Sequence, residues 1–235
     1  HVYTEADTEY APEDARSRLH RNAIAIGEYS HNCHGTGHAG PRVGGRHTGE
    51  FYKAVAPYQI PYGVIVPRQV QNLLAPVACS ASHVGFCALR LEPIWMSLGE
   101  AAGLAADQAL AKNVPVQEVA VESLQKWIWS RGGATIHVSD VPPVHPDFTA
   151  VQRWGILGGW HGLEPPPARP GTRGKPIVSQ YFEAFPGHAA KLDEPLSPAV
   201  RDHWTALARQ HGLPVPESAA TRGDWIRQVF RQSAP

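Results

Sequence analysis

Between Ser80 and Ala106 a polar turn, Ser80-Ala81-Ser82-His83, leads into Arg90-Leu91-Glu92-Pro93 and then into a run of small residues. The imidazole of His83 titrates near neutral pH and suits proton transfer, or it serves the turn by bonding to backbone. Arg90 offers a permanently charged planar fork for a carboxylate, or it pairs with Glu92 or Glu100 as scaffold. Gly99, Ala101, Ala102, Gly103, Ala105 and Ala106 leave little bulk on one helix face, so a second backbone or a flat ligand can come close; a tightly packed core helix beside a sheet has the same composition. The free N–H groups and positive dipole end at the start of that helix favour an electron-rich carbonyl or an anionic ring edge. A second cluster, His31-Asn32-Cys33-His34-x-x-x-His38, sets soft sulfur among imidazoles, a donor set for zinc or copper. Its glycine-rich surroundings read as a loose loop, and no metal is assigned to it.

Positioning these groups calls for the following elements. A helix-compatible stretch over residues 10–21 precedes an alternating strand at Ala23-Ile24-Ala25-Ile26. Residues 31–57, rich in Gly and His, read as a long loop of the kind that often carries function. Residues 58–67 are extended and residues 70–78 form a short buried strand. A helix spans Glu92–Lys112, with Pro93 in its first turn and Asn113 at its end. An amphipathic helix over residues 121–131 is stopped by Gly132-Gly133. Beyond a linker at residues 141–146, the pattern gives a helix over 147–157, a proline-rich loop over 163–176, and helices over 197–211 and 221–232.

The wording of this stretch, NLLAPVACSASHVGFCALRLEPIWMSLGEAAGLAA from Asn72 to Ala106, resembles the C-terminal part of a bacterial FAD-dependent oxidoreductase family with a glutathione-reductase-like FAD-binding fold. Four motifs carry the resemblance: Asn72 to Leu74, Ser80 to His83, Arg90 to Pro93 and Met96 to Gly103. It extends upstream through Gly27-Glu28-Tyr29-Ser30, His34 and Pro57-Tyr58-Gln59-Ile60-Pro61-Tyr62, and downstream through residues 124–133. The resemblance implies an α/β (or α+β) fragment, the C-terminal portion of a Rossmann-like FAD-binding oxidoreductase with a small helical C-terminal extension. It implies FAD as cofactor and a small-molecule substrate. Ser80, Ser82, Glu92, Met96, Leu98, Gly99, Ala102 and Gly103 would lie on the cofactor side. His83 and His34 would handle a proton, and Arg90 would orient substrate or flavin. The chain departs from the family at Gly63, where a positive charge often follows Ile60-Pro61-Tyr62, and at Cys79 and Cys87, which stand where relatives carry small or apolar residues and read as buried, unreactive thiols.

Proteins of this fold hold the ADP half of FAD on a Gly-x-Gly-x-x-Gly turn between a strand and a helix, with an acidic residue further on. No such turn is read here, and the expectation is a C-terminal piece whose partner is the missing N-terminal FAD-binding portion. The division expected is 1–69 for a substrate-side portion with the His/Gly loop, 70–138 for part of the FAD-binding domain, and 139–235 for a helical accessory extension. The 235 residues are 43% hydrophobic, enough for a core, and balance 21 Lys+Arg against 21 Asp+Glu. That balance gives no electrostatic case for nucleic acid or an anionic membrane. No run approaches the ~18 apolar residues of a membrane span. Cys33, Cys79 and Cys87 form no Cys-x-x-Cys pair and no evident disulfide framework, and the compartment stays open. The competing function is a noncatalytic binding or cell-surface module that has lost flavin.

Overall fold

The computed structural model describes residues 1–166 and 186–230. Strands β1 (Ala23–Gly27), β2 (His31–Cys33), β3 (Phe51–Lys53) and β4 (Tyr58–Pro61) form two antiparallel pairs, β1 with β4 and β2 with β3. The alternation of Ala and Ile makes β1 a strand as expected. Its register sets Ala25 opposite Ile60 and Gly27 opposite Tyr58, with an irregularity between Ala23 and Ala25. Only glycine fits at position 27, because a Cβ would lie 2.5 Å from the Tyr58 ring. That close approach lets the Tyr58 hydroxyl reach the Ala88 carbonyl at 2.6 Å, which fixes the helix that follows against the sheet.

The helices among the described residues are α1 (His83–Leu89), α2 (Glu92–Lys112), α3 (Val121–Ser130), α4 (Phe148–Ile156), α5 (Pro198–Gln210) and α6 (Arg222–Phe230). Pro93 opens α2, and Asn113 closes it in the left-handed conformation (φ 51°), its N–H reaching back to the Ala109 and Leu110 carbonyls. The small residues of α2 divide between two faces. Ala101, Ala102, Ala105 and Ala109 join Ile94 and Leu98 in the core, whereas Gly99 and Gly103 point outward. The core continues into the C-terminal helices, where Trp154, Trp160, Trp204 and Trp225 pack edge to face or tilted, with centroids 5.5–6.0 Å apart. Such rings bring large buried area together with favourable quadrupole geometry.

Several sequence expectations fail for physical reasons. Residues 10–21 are turns and not a helix: Glu13 takes a left-handed φ of 56°, and Asp14, Arg16 and Ser17 are buried to serve distant partners. Arg16 donates to the Trp160 carbonyl at 3.0 Å and the His137 carbonyl at 2.7 Å, while Ser17 donates to the Pro57 carbonyl at 2.9 Å. Residues 70–78 are bends and not a buried strand. Val70, Leu73 and Val77 are exposed, Asn72 has φ 57°, and its side-chain oxygen accepts from Val116 N at 3.1 Å. The segment is therefore tethered to the turn at Val116–Glu118 rather than laid into a sheet. The loop over 31–57 contains the β2–β3 hairpin, and residues 58–67 leave the extended state at a 3₁₀ turn, Tyr62–Val64. Positions 167–176 of the expected proline-rich loop and 231–232 of the last helix lie outside the described residues. The mixed helix and strand content fits an α/β or α+β fragment. No described helix is long and apolar enough to cross a membrane.

Candidate active site

Helix α1, which the sequence reading passes over, builds the site. Ser82 caps it, the hydroxyl accepting from Gly85 N at 3.0 Å, so that His83 becomes the first helical residue. Residues four apart share a helix face, which puts Cys87 one turn below His83. Arg90 follows at the C-terminal end of α1, where its guanidinium donates to the Asn32 carbonyl at 3.1 Å and lies 5.7 Å from the centre of the Tyr29 ring. It forms no ion pair with Glu92 or Glu100, so the scaffold reading of Arg90 is replaced by a tie to β2. Asn32 in turn donates to the Tyr29 hydroxyl at 3.0 Å.

Strand β2 runs past this helix and its alternation separates the histidine cluster. His31 turns inward, its Nδ1 2.9 Å from the Val84 carbonyl and its Nε2 2.7 Å from the Thr8 hydroxyl. Burial lowers its pKa, which keeps it a neutral structural link between α1 and the N-terminal segment. His34 is exposed, and His38 is exposed farther along the loop. The expected spacing cluster is thus taken apart by the strand. Cys33 faces α1 instead, with its Sγ 3.6 Å from His83 Nε2. The reactive atoms of Cys33, His83 and Cys87 all lie within 4.8 Å of one another. Burial, with Cys33 beside it, raises the Cys87 thiol pKa. Proximity of the two thiols carried no local signal in the sequence beyond the His83-x-x-x-Cys87 spacing.

An open cavity of about 560 Å³ lies over these residues, and His34, His83, Arg90, Ser82, Cys33 and Cys87 line it together with Phe86. Three residues assigned to catalysis, separated by 56 positions between His34 and Arg90, therefore meet at one concave surface. The residues assigned to the cofactor are distributed differently. Ser80 is exposed and its main chain bonds Tyr3 and Val64. Glu92 begins α2 at the surface, and Met96, 74% exposed, continues one outward stripe with Gly99 and Gly103. Leu98 and Ala102 face the core on the opposite side. One stretch, Gly35-Thr36-Gly37-His38-Ala39-Gly40, does carry the Gly-x-Gly-x-x-Gly spacing. It follows the three-residue antiparallel strand β2 and opens no helix, since residues 35–50 are bends and isolated bridges; the phosphate-cradling geometry that gives the motif its meaning is missing.

The cavity thus gathers two imidazoles, two thiols and a guanidinium from β2, the residue after it and α1 with its C-terminal end. Residues 1–128, more than half of the 235, match the family model described as FAD dependent oxidoreductase, and the chain belongs to that family, whose cofactor is FAD. No curated protein and no solved structure matches the chain.

Proposed function

We propose that the chain forms the substrate-side and flavin-ring-side part of an oxidoreductase that moves a hydride between a small-molecule substrate and FAD. The observation that carries this reading is the convergence of His34, His83 and Arg90 on one cavity within a chain that belongs to an FAD-dependent family. When bound, FAD supplies the hydride-accepting ring. The outward stripe of α2 fits such a ring, because a Cβ on Gly99 or Gly103 would meet nothing within 4 Å and a flat group can lie against the helix there. The residues present do not fit the dinucleotide half, for which the Gly35–Gly40 spacing lacks its helix. We assign that half to an N-terminal FAD-binding portion of Rossmann type. The apolar groups left open along and beside α2, with Met96 at 74% and Leu110 at 83% exposure, support a partner surface on this side.

Within the cavity, Arg90 is held by the Asn32 carbonyl and the Tyr29 ring and keeps further N–H groups for an anionic substrate group. His83, exposed at the start of α1, takes or gives the proton that accompanies C–H oxidation at its ring nitrogen, and His34 flanks it just beyond the end of β2. Residues 139–235 act as a helical extension, whose described helices α4, α5 and α6 share a core with this unit. The test is FAD addition, followed by visible absorption, to the chain and to the native polypeptide that contains it, with H83A carried in parallel. Flavin bands with the native polypeptide and a reductive rate about 10²-fold lower in H83A are expected. Absence of flavin bands from both would favour the noncatalytic alternative, and an unchanged H83A rate would remove His83 from proton transfer.

A further inference from the structure

We propose that Cys33, His83 and Cys87 form a binding site for a single thiophilic metal ion, Zn²⁺, with the fourth coordination position open to the cavity. This inference goes beyond the flavin reading and does not rest on it. A tetrahedral zinc with sulfur at about 2.3 Å and nitrogen at about 2.05 Å has ligand edges of about 3.5 Å for S to N and about 3.8 Å for S to S. The Cys33 Sγ to His83 Nε2 separation of 3.6 Å matches the first edge already, and Cys87 Sγ lies within 4.8 Å of both. The Cys87 thiol donates to the His83 carbonyl at 3.5 Å, and closing the remaining gap requires its Sγ to turn from that contact toward the other two ligands.

The chain positions these ligands from rigid elements. His83 and Cys87 sit one turn apart on α1, whose start is pinned by the Ser82 cap and whose end is held by the Tyr58 hydroxyl. Cys33 comes from β2, which Arg90 ties to the same helix through the Asn32 carbonyl. Two thiols and an imidazole are soft to borderline donors, which select Zn²⁺ over the hard cations that prefer oxygen. Binding forms two Zn–S bonds and one Zn–N bond, releases the two thiol protons to solvent, and leaves a water on the cavity side, as three-ligand zinc sites do. A bound ion also commits His83 Nε2 to metal, so metal loading and proton transfer at His83 exclude each other.

The experiment mixes the reduced full chain with one equivalent of Zn²⁺, passes it through gel filtration, and measures retained zinc and the alkylation of each cysteine. One zinc per chain is expected, with Cys33 and Cys87 protected and Cys79 unaffected by the ion. Co²⁺ used in place of Zn²⁺ should show a thiolate-to-metal charge-transfer band. Cys33→Ser and His83→Ala alter residues that reach the surface, so both variants keep the core, and both should lose the zinc and the band. Zinc retained equally by Cys33→Ser would place it on the dispersed histidines and overturn the site. So would a wild-type chain that retains none, or a Cys33–Cys87 disulfide that persists in the reduced, zinc-treated sample.

Discussion

The helix that carries His83, Cys87 and Arg90 can be displaced by a single methyl group. A Cβ at Gly85 would lie 2.3 Å from the Tyr3 carbonyl oxygen and 2.8 Å from its carbonyl carbon, both backbone atoms. Tyr3 is unable to retreat: it is fully buried, its N–H donates to Ser80 O at 2.9 Å, and its carbonyl accepts from Ser82 N at 2.8 Å. Gly85→Ala therefore pushes α1 away from the N-terminal segment. Overpacking of this kind costs roughly 1–3 kcal/mol. Loss of the Ser82 bond adds about 1 kcal/mol, and the better helix propensity of alanine returns about 1 kcal/mol. The expected net is a destabilisation of about 2 kcal/mol, which at this chain length lowers the thermal midpoint by roughly 4–8 °C. Gly99→Ala and Gly103→Ala make the same chemical change in α2, where the new methyl meets nothing within 4 Å. Each should raise stability by up to about 1 kcal/mol. Urea unfolding followed by far-ultraviolet circular dichroism separates the three variants. A Gly85→Ala chain as stable as its parent, or Gly99→Ala and Gly103→Ala chains that fall with it, would refute the packing argument.

Acid should weaken the fold through His137. Burial first, and the Arg16 charge second, lower its pKa from 6.5 to about 4, so the folded chain keeps this ring neutral while the unfolded chain protonates it. The His137 contribution is then constant above pH 6.5 and falls by about 3 kcal/mol as pH drops from about 6.5 toward 4. In pH-dependent urea midpoints, His137→Asn should make that limb shallower without abolishing it, because burial first, and then the Arg16 charge, also lower the pKa of the neighbouring His188 to about 2; an unchanged slope would remove His137 as a source. Arg90→Lys keeps the charge but loses the planar fork that bonds Asn32 and lies over Tyr29. With the flavin loaded in the native polypeptide, it should raise the KM for an anionic substrate about tenfold with a smaller change in kcat; an unaltered KM would sever Arg90 from substrate binding.

Elements whose pattern is local were legible in the sequence. β1 follows from Ala-Ile alternation. The limits of α2 follow from Pro93 and Asn113, and the end of α3 from Gly132, which indeed takes a φ of 82°. Elements settled by distant partners were not. The helix-compatible residues 10–21 give up helical bonds because Arg16 and Ser17 are needed by carbonyls 40 to 144 positions away. Residues 70–78 look like a strand by composition, yet no neighbouring strand in the described chain takes up their hydrogen bonds. At the site, the resemblance placed His83, His34 and Arg90 in one neighbourhood, and the cavity brings them together. It did not place Cys33 against Cys87, because a strand from one region and a helix from another meet there only in the folded chain. Periodicity reports which face a residue occupies within its own element; it is silent on which element that face will meet.

The tryptophan cluster has an optical consequence. Four of the seven tryptophans, at 154, 160, 204 and 225, sit in one buried hub of the C-terminal part, whereas Trp95 lies tilted against the cavity residue Phe86, ring centres 6.4 Å apart. Intrinsic emission from the chain is therefore weighted toward this hub, which lies beyond the family-matched residues in sequence but packs against their N-terminal segment at Arg16. A single-tryptophan variant that keeps only Trp95 removes the hub's emission and turns the spectrum into a local gauge of the Phe86 side of the cavity.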